Sequence, residues 1–424
     1  MDGSGKTNCS GSDRPVNGRE KNLLLVAHVG LGHRELLGAP TIWHTIEGYI
    51  SNGWKVWIIN AGTKEDTPLG VQRYDDGLYI HCFNPPFLKQ ARIRKIGWFF
   101  HLLNTFYIRR RLTAEAEKLI TREGLSPENT VIYALEAYAV HAGKKLSQRH
   151  RMPFVIRFMG TWDRLLMENN FRNRLYLYPE LQAYGVSADI AIAANDGTRT
   201  DDLLRRQGNR SKKIFFWLNG VDKPEGELPA PAFFSALPKG APVVMTLCRL
   251  HQDKRVHLAI QAFPDVLQKI PNAQLVICGY GPEEKYLRTL TRELQITDNV
   301  HFAGLVPHDE VFCWLRQADV FLSLFPISNV GNPTLEALRC GTPVITYDVG
   351  GTSTVVRQGE NGILLPDGSV KELSEAICAL LADPAERARM SANARKFADE
   401  NFHTWDERIA AEVQEVTALL PQEK

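Results

Sequence analysis

Three short stretches place chemically useful side chains where strands should end. In "LCRLHQDKRVHLAIQAF", Arg249 and Lys254 follow a strand-like run and enter an amphipathic one. Two cations at a strand's C-terminal end, beside a helix N-terminus, suit a diphosphate: Arg grips oxygens bidentately and Lys supplies a mobile point charge. An exposed basic helix start would look the same. In "SNVGNPTLEALRCGTP", Gly331 allows close approach and Pro333 suits a first helical position, leaving N–H groups for phosphate oxygens. Glu336 is expected on the first turn of that helix. An acid there can simply favour the helix dipole, or its two oxygens can accept hydrogen bonds from neighbouring ribose hydroxyls. In "VHFAGLVPHDE", a strand ending in Gly304, Leu305, Val306 and Pro307 can turn bare backbone toward a base edge.

Other chemistries are excluded or weakened. Gly30 and Gly32 form a G-x-G after the first strand, but the dinucleotide fingerprint needs a third glycine where Glu35 stands. "CGYGPEE" fails the same test at Glu284. No phosphate-binding G-x-x-x-x-G-K-[ST], no D-x-D pair and no zinc spacing occurs, so neither a metal nor another cofactor is expected. The seven cysteines form no C-x-x-C and lie mostly in apolar patterns, which suits reduced core thiols in a cytoplasmic protein. A net charge of +2 gives no drive toward nucleic acid. No apolar run reaches the ~20 residues a spanning helix needs.

The elements that must position these groups are legible from periodicity. β-branched and aromatic runs ("NLLLVAH", "WKVWIIN", "LYIHCF", "TVIYAL", "FVIRF", "DIAIA", "KIFFWL") alternate with helical patterns through the first half. The alternation restarts with "VVMTL", "AQLVICG", "NVHFAG", "ADVFLSL", "PVITY" and "GILLP". Such repeats predict parallel sheets with helices on both faces. The division expected is a disordered tail at 1–20, a first α/β domain at 21–218, a loose Pro/Gly-rich linker at 219–241, a second α/β domain at 242–402 and a closing helical segment at 403–424. Two such domains imply a cleft, with ligands beyond the strands' C-terminal ends.

In this order, "NGVD", "RLHQDK", "CGYGP", "VHFAGLVP", "ADVFLSLF", "GNPTLEALRCGTPVI", "DVGGTSTVV" and "NGILLP" resemble the family 4 retaining glycosyltransferases of the two-domain GT-B fold. The resemblance covers the second domain and is architectural over the first. It implies two Rossmann-like domains facing each other across a cleft, with the last helix crossing back to the first. It also implies transfer of a sugar from a nucleotide-sugar donor, UDP-sugars being the commonest, to a hydroxyl on a sugar, natural-product or lipid-linked acceptor. Arg249 and Lys254 would then stabilise the leaving diphosphate and Glu336 would hold the ribose. Leu305 and Val306 would face the base, while Ser328, Asn329, Gly331, Asn332, Pro333, Thr334 and Gly32 would line the donor site.

Two positions depart from the family. Its pattern of Glu, seven residues, Glu puts the first acid on the donor sugar, where this chain has Ser328. A histidine usual before Gly160 is replaced by Met159. Arg157, Thr161, Asp163 and Glu136, expected near strand ends facing the cleft, are the candidates to substitute on the sugar or acceptor side, together with Gly160. A nucleotide-sugar-binding protein with little transfer activity, or a GT-B sugar-nucleotide epimerase, remains the alternative. The basic, aromatic stretch 89–112 reads either as an interfacial helix contacting anionic lipid or as a core-facing helix with solvated ends, its central aromatics favouring the second.

Overall fold

The computed structural model describes residues 20–31, 40–62, 69–84, 97–161, 177–224 and 226–422. Except for Glu20, the tail expected at 1–20 lies outside them, as do Gly32, Asp163 and the basic residues Lys89, Arg92, Arg94 and Lys95.

The first sheet is built from β1 (Lys21–Ala27), β2 (Trp54–Ala61), β3 (Gly70–Arg73), β4 (Leu78–Phe83), β5 (Thr130–Leu135), β6 (Phe154–Phe158), β7 (Ile190–Ala194) and β8 (Lys213–Trp217). Its spatial order is β3-β4-β2-β1-β5-β6-β7-β8. The second contains β9 (Val243–Leu247), β10 (Gln274–Cys278), β11 (Val300–Gly304), β12 (Val320–Ser323), β13 (Val344–Tyr347) and β14 (Gly362–Leu365), ordered β11-β10-β9-β12-β13-β14. Pairing is parallel throughout except for β3 against β4. Strands such as "TVIYAL" are buried at every residue, as parallel strands covered on both faces must be. β3, largely exposed and without alternating apolar residues, offered no sign in the sequence.

In each sheet the chain order reverses beside the first strand: β1 lies between β2 and β5, and β9 between β10 and β12. Such switch points open a crevice at the strands' C-terminal ends.

Helix Gly97–Glu123 buries Ile108, Leu112, Ala116, Leu119 and Ile120 but leaves Phe99, Leu103 and Phe106 exposed. The core-facing reading therefore holds for its second half and not for those central aromatics. The linker is also less loose than expected. Phe233 and Phe234 pack on Trp314 of the second domain, at ring distances of 5.1 and 5.2 Å. Val221 is buried and its N–H donates to His403 O.

The closing helix Trp405–Thr417 begins with a capping box, in which Thr404 and Glu407 exchange side-chain-to-backbone hydrogen bonds. Its Trp405, Ile409, Val413 and Val416 pack with Trp43, Ile46 and Tyr49 of helix Pro40–Ser51 in the first domain's core. Gly48 permits the approach, since a Cβ there would stand 2.2 Å from Ile409. One acid, Glu412, is fully buried in this seam between Arg157 (3.4 Å) and Arg408 (3.1 Å), with the Tyr133 hydroxyl donating to it at 2.7 Å.

Candidate active site

The second domain's wall is assembled at the C-terminal ends of β9 to β12. Arg249 follows β9, exposed and without a side-chain partner among the described residues. Its loop is held by glycines of the neighbouring turn. A Cβ at Gly279 would meet Cys248 O at 1.8 Å, and one at Gly281 would meet Leu250 O at 2.3 Å. That G-x-G therefore serves backbone packing, placing Arg249 rather than a phosphate. Lys254 ends a short 3-10 turn, Gln252–Lys254, and the α-helix starts only at Val256, after the left-handed Arg255. Its ammonium lies 3.7 Å over the Phe325 ring and 3.7 Å from Asp253. Burial pulls its pKa below the usual lysine value, Asp253 opposing. Such a cation is partly desolvated and interacts strongly with an arriving anion.

Helix Asn332–Cys340 begins after Gly331, so Glu336 falls on the second turn rather than the first. There it gains little from the helix dipole, which fades beyond the first turn. Its carboxyl is buried, and among the described residues nothing donates a hydrogen bond to it. Burial, with Asp222 adding repulsion, pushes its pKa up to about 7. A buried acid without a partner is costly and points to a ligand that supplies donors. The helix offers fewer N–H groups than its sequence implied. Thr334 and Leu335 donate back to Gly331 O, and Pro333 has none to give, which leaves those of Gly331 and Asn332. Thr334 is buried. Leu305 is 71% exposed while Val306 is buried, so the loop after β11 shows an apolar side chain to the solvent side.

Three expected donor contacts are otherwise engaged. Asn329, buried, accepts from Ser323 Oγ (2.8 Å) and Phe325 N (2.9 Å) and donates to Phe325 O (2.9 Å). Its side chain staples the loop, with both Oδ1 bonds and one of its two N–H groups spent there. The Asn332 side chain accepts from Asn219 of the linker at 2.9 Å. Ser328 Oγ donates to the carbonyl of Asp196, in the first domain, and accepts from Val330 N.

The first domain's wall lies at the ends of β5, β6 and β7. Glu136, just past β5, has φ 68° and ψ 159°, a backbone region that side chains rarely occupy. Its Oε1 accepts the Met159 N–H at 2.6 Å. Burial raises its pKa to about 7, with Asp196 adding to the rise against the Met159 bond. Gly160, at φ 143°, has no alternative: a Cβ would stand 2.1 Å from Asp196 Oδ2. Thr161 is buried and bonded through both N–H and hydroxyl to Thr198, so it fixes the Asp196 loop. Arg157 does not face the cleft. Strand alternation turns it to the face covered by helix Pro40–Ser51 and the closing helix, where it is buried against Thr45 (2.5 Å) and Glu412. Sequence reasoning missed Asp196; its only signal was an Asn-Asp-Gly turn one residue after "DIAIA".

The two walls touch. Besides the Ser328 bond, Gly351 N donates to Gly197 O at 2.7 Å, and a Cβ on Gly197 would stand 1.9 Å from Ser328 Oγ. No group of three or more metal-ligating side chains occurs among the described residues. No helix among them is long and apolar enough to cross a membrane.

These elements define a two-domain GT-B architecture, and comparison with known proteins agrees. Sucrose-phosphate synthase from Thermosynechococcus elongatus superposes with a TM-score of 0.72, covering 95% of this chain and 99% of its own at 20% identity. Anabaena Alr3699/HepE in complex with UDP superposes with a TM-score of 0.65, covering 93% and 99% at 20% identity. Residues 231–397, most of the second domain, match the family model described as glycosyl transferases group 1. The GDP-mannose-dependent alpha-(1-6)-phosphatidylinositol monomannoside mannosyltransferase of Mycolicibacterium smegmatis is 31% identical over 176 residues, 40% of this chain and 46% of that protein. The chain spans about half the length of the curated relatives it matches.

Proposed function

We propose that this protein is a retaining glycosyltransferase of the family 4 type. It moves a sugar from a nucleoside-diphosphate sugar, a UDP-sugar being favoured, to an acceptor hydroxyl, without a metal. The observation that carries the reading is the second-domain trio: an unpaired exposed Arg249, a partly desolvated Lys254 and a buried, partnerless Glu336. As the bond to the sugar breaks, negative charge grows on the departing diphosphate. Arg249 and Lys254 meet that charge in place, without reorganisation. Glu336 receives the ribose hydroxyls, and the cleft holds the acceptor hydroxyl on the face the diphosphate leaves.

Arg249→Ala should lower kcat for donor hydrolysis or transfer by about 100-fold or more, the usual effect of removing one group that stabilises developing charge. The measurement starts with a thermal-shift screen of UDP, GDP, ADP and their sugars. If no nucleotide sugar binds, or Arg249→Ala turns over normally, the reading is wrong.

One observation favours a lipid-borne acceptor. Phe99, Leu103 and Phe106 form an exposed apolar stripe on helix Gly97–Glu123, with Arg110 beside it. Phe106→Ser should weaken co-sedimentation with anionic vesicles; a wild-type protein that never sediments with them would remove this reading.

A further inference from the structure

We propose that Glu136, from the first domain, takes the hydroxyl of the transferred sugar that the missing acid at position 328 would have taken from the second. The inference rests on the glycosyltransferase reading and names a specificity-determining residue within it. Ser328 marks the place where the donor-sugar acid should stand, and its hydroxyl is spent on Asp196 O. A longer side chain has no room in that direction, because Gly197 closes on Ser328 Oγ. The same contact draws the end of β7 against the donor wall. β5, β6 and β7 are adjacent parallel strands, so their ends place Glu136, Gly160 and Asp196 in one row along this edge.

Glu136 occupies the telling position in that row. It follows β5, which borders β1 at the switch point of the first sheet, where α/β folds hold their ligands. The Met159 N–H anchors one carboxyl oxygen over the strand ends. The Ala137 N–H, at the start of the following helix, also favours the ionised carboxyl. The backbone that carries it is held where glycine would be at ease. A residue whose only task was to cap helix Ala137–His150 gains nothing from that conformation, since its side chain makes no cap hydrogen bond. A carboxylate has about four acceptor sites, so one anchored by two backbone N–H groups keeps lone pairs with which to accept a sugar hydroxyl. Asp196, packed over Gly160 on the other side of the Met159–Gly160 peptide, and Arg157 behind the strand are the charged groups that face it.

The test compares each nucleoside diphosphate with its sugar, starting from UDP, UDP-glucose and the mono-deoxy analogues of UDP-glucose, or GDP and GDP-mannose if guanine is preferred. In the wild type one deoxy analogue should bind about tenfold or more weakly than the parent sugar nucleotide. In Glu136→Gln and Glu136→Ala that difference should collapse to within about twofold, while affinity for the bare diphosphate changes little. Glu136→Gly relieves the backbone, so it should melt no lower than the wild type yet show the same loss of discrimination. If the diphosphate binds but every deoxy analogue is penalised equally in wild type and variants, Glu136 is not the sugar contact. If no diphosphate binds the wild type at all, the failure belongs to the glycosyltransferase reading.

Discussion

The two walls of the cleft are built on opposite plans. On the second domain, Arg249, Lys254 and Glu336 stand unpaired or nearly so, the first two in the loop after β9 and the third on the helix between β12 and β13. On the first, the conspicuous charges are spent: Arg157 and Glu412 neutralise each other out of sight, and the groups at the cleft are a strained Glu136 and an Asp196 braced by its own loop. The second wall therefore presents unpaired groups to an arriving ligand, as the proposed nucleoside-diphosphate reading requires. The first is a shaped edge whose chemistry depends on where the closing helix and the Ser328 contact hold it.

The comparison breaks most decisively at Glu412. Burial alone would raise its pKa, but Arg157 and Arg408 override burial and hold it below the usual carboxylate value. Removing one member leaves charge buried and unpaired, which costs about 3–5 kcal/mol in other proteins. Glu412→Ala should therefore lower the melting temperature and loosen the closing helix, read by faster amide exchange over 405–417. Arg157→Met, Arg408→Met and Glu412→Leu together should recover most of the loss, because apolar side chains of similar volume can replace a buried ionic triad. A Glu412→Ala protein that melts with the wild type would show that the closing helix is held by its apolar face alone. The sign of the pH effect is fixed by the depressed pKa: this contribution is present above the unfolded carboxylate pKa and lost as pH falls through the folded one.

The same contrast explains what could be read from the sequence. Strand-rich runs marked all but β3, since parallel strands buried on both faces need continuous apolar residues. The second wall was legible because its side chains lie in short segments whose order is itself informative. The first wall was not, because its geometry comes from neighbours distant in the chain. Nothing near Arg157 announces Glu412, 255 residues away, and nothing near Asp196 announces Ser328, 132 residues away. Helix phase was the other blind spot. Glu336 was expected one turn too early, and that shift turns an ordinary dipole-favouring acid into a buried, partnerless one.

Ser328→Glu sharpens the comparison at the point where the walls meet. Judged by the family pattern alone, it restores an acid and should improve donor binding. Judged by the structure, it removes the hydroxyl that holds Asp196 O and puts bulk against Gly197. The expected outcome is a weaker interdomain seat: a larger radius of gyration by X-ray scattering and a donor affinity about tenfold lower. Tighter donor binding with no expansion would mean that the serine contact is incidental.

The mildest effect, and the most specific to the second wall, is a proton linked to Glu336. In the free protein its carboxyl titrates near 7, raised by burial and by Asp222. Ribose hydroxyls donate hydrogen bonds, so they favour the ionised carboxylate and lower that pKa on binding. Below about pH 7 the free protein carries the proton and must release it. Affinity for a nucleotide sugar should therefore rise with pH, by up to tenfold per unit, and level off once the free carboxylate is ionised. A nucleotide sugar is the proper probe, because its diphosphate is esterified at both ends and does not titrate in this range. Calorimetry in buffers of different ionisation enthalpy should count up to one proton released near pH 6, and Glu336→Gln should abolish both the release and the slope. An affinity that stays flat from about pH 5.5 to 7.5 would place the ribose elsewhere, and the second wall would then lose its claim to be the nucleotide's receptor.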